Sequence, residues 1–166
     1  MSERKQTRYF VNAETDPVVL QVEGRANYMN CAPVGKLFDL LFEQGRRNFV
    51  VDFAGCEGMD STFLGILAGL GLHLKRTGEG GGLKLIRLGD RNLGLVKHLG
   101  LGEVLEIGSA EPSPSASAPG EPGGVEEGTE AADQDLILRA HRSLVEVDEG
   151  NRKRFQDVIS FLSSGN

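Results

Sequence analysis

The sequence has no tryptophan, only two cysteines and only three histidines, and each shortage removes a class of function. Cys31 and Cys56 allow at most one disulfide. They form neither a CxxC pair nor a zinc-like spacing with His73, His98 and His141, so plain buried thiols are expected and no metal site. There is no HExxH pattern, no GxxxxGK[ST] loop and no GxGxxG fingerprint between a strand and a helix, so no cofactor is expected by those routes. The glycine-rich run Glu79–Leu83 precedes a strand, where a phosphate loop would follow one, and therefore reads as a turn. Asp52 and Asp60 are the two aspartates near the end of the central strand, and no nucleophile and base pair is readable with them. No catalytic residue is assigned, and a binding protein is expected rather than an enzyme.

Basic charge is also scarce. The net charge of -6 is concentrated in one place, because residues 108–132 carry five glutamates and no basic residue, leaving -1 for everything else. A nearly neutral body lacks the field that drives nucleic-acid affinity, so no direct nucleic-acid partner is expected. The opening MSERKQTRYF has no apolar signal core, and no apolar run approaches the roughly 18 residues that span a bilayer. A cytoplasmic chain without a membrane span is the expectation.

What is present is a chain of 166 residues with ordinary globular composition, 39% hydrophobic and 25% charged, and with 23 glycines. Four of the six prolines fall in residues 108–132, which contain almost no large apolar side chain. Such a segment cannot bury enough surface to offset its ordering entropy and is expected to be a disordered linker. It separates an expected domain over residues 1–107 from an expected helical tail over 133–166.

Within the domain, Arg8–Val11 and Val18–Val22 read as a hairpin. Pro33 suits a first helical turn, and Val34, Leu37, Phe38, Leu41 and Phe42 follow at helical spacing until Gly45. Asn48–Phe53 is a nearly continuous apolar run, the pattern of a central strand covered on both faces, and AGCEGMD after it reads as a loop. A second helix starts at Ser61 and stops at Gly78. A strand over Leu83–Leu88, a helix over Arg91–Leu99 and a strand over Val104–Ile107 complete the order β-β-α-β-α-β-α-β. This alternation predicts an α/β fold whose mainly parallel sheet carries packed helices.

In the tail, Leu136, Ala140, Leu144, Val147, Phe155, Val158 and Leu162 form one stripe, interrupted near Gly150 and Asn151. One long helix or a helical hairpin is expected. Its stripe must dock on the domain, pair with a second copy or bind a partner.

The segment Met59-Asp60-Ser61-Thr62-Phe63-Leu64-Gly65 lies where the central strand gives way to the second helix. Asp, Ser and Thr there serve as helix caps and need no other purpose. The same geometry suits a phosphate, because free N–H groups and the helix dipole favour an anion. A phosphoryl group on Ser61 would add nearly two negative charges beside Asp60 and could repel a partner. Gly65, Gly69 and Gly71 each cost a helix up to roughly 1 kcal/mol against Ala, which points to close packing against the sheet or against a partner.

These residues carry a resemblance. GMDSTFLGILAGL after NFVVDF, with VVLQVEGRAN before and LVKHLGLGEVLEI after, resembles the STAS-domain family, which includes bacterial anti-sigma factor antagonists, over about residues 8–107. The resemblance implies a sheet of four strands plus an N-terminal strand, with helices over one face. It implies an anti-sigma factor that is also a serine kinase, and a phosphatase, as partners. By position it implies Ser61 as the phosphorylated serine, with Thr62 as the alternative hydroxyl, and a partner surface made of Asn27, Met59, Asp60, Ser61, Thr62, Phe63 and Gly65. Thr62 and Phe63 stand where the family commonly has Ser and Gly, and Asn27 where many antagonists are acidic. The function this implies is a phosphorylation-controlled binding switch that regulates transcription by sequestering an anti-sigma factor. A constitutive scaffold of the same fold and a small-molecule sensor are the alternatives. The tail, outside the resemblance, is a candidate for self-association through residues 133–163.

Overall fold

The computed structural model describes residues 6–108, 125–127 and 130–164. The element order is β1 (Arg8–Asn12), β2 (Val18–Ala26), α1 (Ala32–Glu43), β3 (Asn48–Met59), α2 (Ser61–Thr77), β4 (Gly82–Ile86), α3 (Asp90–His98), β5 (Glu106–Ile107), β6 (Val125–Glu127), α4 (Gln134–Val147) and α5 (Asn151–Ser164). The strands form one mixed sheet in the order β5-β4-β3-β2-β1-β6. β1 and β2 make the expected antiparallel hairpin, and β2, β3, β4 and β5 run parallel.

The parallel strands are added one after another in a single direction, each through a helix. Crossovers of one hand, applied in one direction, deliver all three helices to the same face of the sheet. The side chains agree. Tyr9, Leu20, Val22, Phe49, Val51, Phe53, Leu83 and Leu85 are buried toward the helices, with the Phe38 ring of α1 edge-on to Phe49 at 5.7 Å. On the opposite face Gln21, Val50 and Lys84 are half-buried, whereas Phe10, Val19, Asp52 and Ile86 are buried, Asp52 in an ion pair with Arg87. The expectation of a central strand covered on both faces therefore holds only in part, since the second face of β3 is half-open at Val50.

Two further expectations are corrected. AGCEGMD is not a loop, because β3 continues to Met59 beside Glu23–Ala26 of β2, with two register shifts that absorb its irregular backbone. Gly55 fits there because a Cβ would sit 3.2 Å from the Val22 carbonyl oxygen, a separation that pairing of the strands enforces. The last expected strand shortens to Glu106–Ile107, since Leu101–Glu103 form a 3-10 turn that buries Leu101.

The helix stops behave as expected. Gly78, the αL cap of α2, has φ 66°, and Gly45, which follows α1, has φ 93°, conformations that side chains resist. Most of the expected linker, residues 109–124 and 128–129, lies outside the described residues. Within it, Val125–Glu127 pairs antiparallel with Arg8–Phe10 as an edge strand. The tail is a helical hairpin, broken by the turn at residues 148–150, and it lies on the sheet's helical layer. α4 packs on α2, so Ala140 and Leu144 belong to the same core cluster as Phe63 and Leu67. α2 thus lies between the sheet and α4, which explains why it is apolar nearly all round.

Candidate functional site

The C-terminal ends of β2 and β3 lie side by side, and the chain turns from Met59 into α2 at this edge. Open parallel sheets present their functional groups at such an edge. Asp60 makes the turn. Its backbone is extended, and its Oδ1 accepts from the Phe63 amide at 3.0 Å as the N-cap of α2. Its Oδ2 accepts from the Tyr28 amide at 2.9 Å, and its own amide donates to the Ala26 carbonyl at 3.1 Å. One carboxylate therefore fixes both the start of α2 and the turn after β2.

That turn is built on Asn30, whose Oδ1 accepts from the buried Tyr9 hydroxyl at 2.8 Å and from the Asn27 amide at 3.0 Å. Asn30 Nδ2 donates to the Arg25 carbonyl at 2.8 Å and to the Thr7 hydroxyl at 3.1 Å. Asn27 Oδ1 accepts from the Met29 amide at 2.9 Å. The result is a braced turn that presents two large apolar side chains outward, Tyr28 at 50% exposure and Met29 at 61%. Burial, with Asp60 as a smaller cause, pushes the nearby Cys31 thiol up to about 12 and raises the Tyr9 hydroxyl well above its ordinary range. Neither group ionises near neutral pH, and both serve as apolar or neutral packing.

Ser61 opens α2 and is half-buried. Its Oγ lies 2.8 Å from Nε2 of His141 on α4. His141 Nδ1 is 2.8 Å from the Ile137 carbonyl oxygen, which can only accept, so Nδ1 carries a proton. In the tautomer protonated at Nδ1 alone, Nε2 accepts from the Ser61 hydroxyl. Phe155 of α5 meets the same imidazole edge to face at 5.0 Å. Directly beneath, Gly65 allows α4 to approach so closely that a Cβ there would stand 2.3 Å from the Ala140 carbonyl oxygen. At Gly69 the corresponding distance is 3.2 Å to Ser143 Oγ, whereas Gly71 faces Val104 and Leu105. Two of the three helix glycines are explained by α4 and the third by Val104 and Leu105, just after the 3-10 turn.

The residues singled out from sequence separate into two groups. Asn27, Met59, Asp60 and Ser61 come together at the strand ends. Thr62, Phe63 and Gly65 point inward: Thr62 is 3% exposed, Phe63 is fully buried between Tyr9 and Phe53, and Gly65 is covered by Ala140. In this conformation those three cannot meet a partner or, for Thr62, a kinase. An amphipathic helix start must turn some of its first residues to the core, and a run of consecutive positions cannot all be surface.

Three residues of the site were not singled out from sequence. Tyr28 and Met29 form an apolar pair inside an otherwise polar turn, a visible if weak signal. His141, which in the sequence offered only the lack of a ligand spacing, is buried and hydrogen-bonded to Ser61. Nothing local in the sequence joins positions 80 apart. Beside the site, an open cleft of about 630 Å³ is lined by Arg25, Asn27, Glu57, Asp60, Arg91 and His98. Among the described residues no group of three or more His, Cys, Asp and Glu side chains could hold a metal ion, and no helix is long and apolar enough to cross a membrane.

No protein-family model and no curated protein matches the chain. Solved structures do. The unphosphorylated form of the anti-sigma factor antagonist SpoIIAA matches with a TM-score of 0.52 and 17% identity, over 62% of this chain and 89% of that one. The phosphorylated form of the same protein, described as a Bacillus cell fate determinant, matches with a TM-score of 0.51 and 18% identity, over 60% of this chain and 90% of that one. At this identity the likeness establishes architecture, and the chain has the STAS-type fold of the anti-sigma factor antagonists.

Proposed function

We propose that this chain is a protein-binding switch of the anti-sigma factor antagonist kind, with Ser61 as the regulated hydroxyl and the braced turn Asn27–Met29, Met59, Asp60 and the start of α2 as the docking surface. The observation that carries this reading is the position of Ser61. It follows the N-cap Asp60 at the end of the central strand, beside two exposed apolar side chains, in a fold whose solved members include one protein in phosphorylated and unphosphorylated forms. A phosphoryl group there would bring close to two negative charges to a surface that now offers Tyr28 and Met29 for contact. The partners are an anti-sigma factor acting as serine kinase and an opposing phosphatase, and the chain itself performs no chemistry. Peptide mapping of the protein purified from its own cells tests the reading. A phosphate on Ser61 supports it, and an unmodified Ser61 across growth and stress conditions refutes it.

A second reading draws on the Ser61–His141 hydrogen bond, which holds the serine in place without any modification. Here the chain is a constitutive scaffold, and Ser61→Ala and Ser61→Asp both keep the partner. Loss of binding in Ser61→Asp alone selects the switch.

A further inference from the structure

Ser61 and His141 stand together as a nucleophile and a base, a pair that sequence reading missed because the two positions are 80 apart. A serine hydroxyl is a weak nucleophile alone, and it becomes an effective one when an adjacent base can take its proton and a third group orients that base. All three parts are present. The Ser61 hydroxyl lies 2.8 Å from His141 Nε2, and the Ile137 carbonyl oxygen, 2.8 Å from Nδ1, fixes the ring with Nε2 turned to the serine. Phe155 packs against the same ring edge to face. A hydroxyl has one hydrogen, so with that hydrogen committed to Nε2 an Oγ lone pair is left for an electrophile. Ser61 is half-buried whereas His141 is 4% exposed, so the nucleophile is reachable and its base is shielded from water. The Phe63 amide is taken by Asp60, but the amides of Ser61 and Thr62 in the first turn of α2 have no partner inside the helix and favour an anion beside them.

We propose that Ser61 is a histidine-activated nucleophile with His141 as its general base, and that its electrophile is the terminal phosphoryl group of a nucleoside triphosphate held by the kinase. Phosphoryl acceptance rests on the switch reading above, and the proposal adds the residue that carries the proton. In the step, Ser61 Oγ forms a bond to the γ-phosphorus, the bond from that phosphorus to the β–γ bridging oxygen breaks, and the nucleoside diphosphate leaves with the electron pair. The Oγ proton passes to His141 Nε2. Protein kinases ordinarily receive that proton on a carboxylate of their own, whereas here the hydrogen already points at a base in the acceptor chain. The kinase remains the enzyme, and this chain contributes one group to its own modification. The product also answers a charge, because an imidazolium buried alone is costly and phosphoserine places an anion on the atom that faces it. α4 takes part from its seat on α2, and nothing in the fold has to open.

The test replaces the kinase and its nucleotide by diisopropyl fluorophosphate, a small phosphorus electrophile, and follows labelling of the full chain serine by serine through peptide masses. Attack by Ser61 Oγ expels fluoride and again gives the proton to His141. Ser61 is expected to label at least about 100-fold faster than the exposed Ser160 of α5, the lower end of what a positioned base contributes. His141→Gln keeps an acceptor oxygen for the Ser61 hydroxyl but takes no proton at neutral pH, so in a chain that stays folded the Ser61 rate should drop to that of Ser160. Ser61 labelled no faster than Ser160, or His141→Gln labelled as fast as the unsubstituted chain, overturns the proposal. Should His141→Gln not fold, the unsubstituted chain decides in deuterium oxide. A Ser61 rate that slows there relative to Ser160 in the same sample shows a proton in transfer, and an unchanged ratio refutes it. No arm uses the cell's kinase, so an unmodified Ser61 in cells would sink the switch reading and leave the activated serine standing. Phosphate on Ser61 with an unreactive dyad would do the reverse, keeping the switch and removing His141 from it.

Discussion

Ser61 Oγ and His141 Nε2 are 2.8 Å apart, and this hydrogen bond joins the first residue of α2 to a helix that follows it by a long connection. It satisfies a half-buried donor and a buried acceptor at once, and the ring is fixed from its other side by the Ile137 carbonyl. The contact is polar, directional and surrounded by apolar packing, so its two members should be energetically coupled.

Ser61→Ala is expected to cost about 1 kcal/mol, because it strands a buried imidazole nitrogen. His141→Ala should cost more, about 2–3 kcal/mol, since packing against Phe155 goes with the acceptor. The double variant should cost less than the sum of the two by about 0.5–1 kcal/mol. Urea denaturation of the four proteins measures this, and strict additivity would show that the two groups do not interact in solution.

Glycine positions give a sharper contrast in sign. Gly65→Ala removes a helix penalty of about 1 kcal/mol but drives a Cβ into the Ala140 carbonyl, so a net loss of about 1–3 kcal/mol is expected. Gly94 lies inside α3 with nothing within 4 Å of a Cβ, and Gly94→Ala should stabilise by up to about 1 kcal/mol. Thermal unfolding of the two variants side by side checks both. Stabilisation by Gly65→Ala would mean that α4 does not sit on α2.

The contrast between those glycines marks what the sequence could show. The helices, the sequence of elements along the domain and the stops at Gly45 and Gly78 follow from periodicity and turn residues, which act over a few positions. β3 was legible only as far as Phe53, because AGCEGM has poor strand propensity and stays extended through pairing with Glu23–Ala26 of β2. At the site, Asp60 and Ser61 were legible as a helix start, and both interpretations of that start rested on the same residues. What covers Ser61 was not legible. The stripe of the tail required burial somewhere, but the seat was set by Gly65 meeting Ala140, a match of two small residues that no local pattern connects.

Stability should fall in alkali. The Cys31 thiol is raised from 9.0 to about 12 by burial, and the Tyr9 hydroxyl is raised in the same direction from 10.0. An acid whose folded pKa is raised keeps its proton in the native state while the unfolded chain releases it, so the native state binds more protons above pH 9. The contribution is intact below pH 9 and is lost as pH climbs toward 12. Urea midpoints at pH 8, 9, 10 and 11 should decline progressively, and Cys31→Ala, which removes one of the two groups, should flatten the decline. A flat profile in the unsubstituted chain would contradict the burial of both groups.

Asp60 separates its two duties when its charge and its cap are removed independently. Asp60→Ala loses the bond from the Phe63 amide and the tether to the Tyr28 amide, and about 1–2 kcal/mol of stability should go with them. Asp60→Asn retains an acceptor oxygen for the cap and should stay within about 0.5 kcal/mol of the parent, since Asn and Asp cap helices almost equally. The side-chain amide offers one oxygen where the carboxylate offered two, so it can keep the Phe63 bond only by releasing Tyr28. The turn carrying Tyr28 and Met29 should therefore loosen in Asp60→Asn while α2 stays formed, visible as faster hydrogen exchange at Tyr28 alone. If Asp60 is only a cap, this variant binds every partner of the parent chain with unchanged affinity. If the turn belongs to the docking surface, affinity falls at least severalfold with no loss of fold, an outcome that helix capping by itself does not produce.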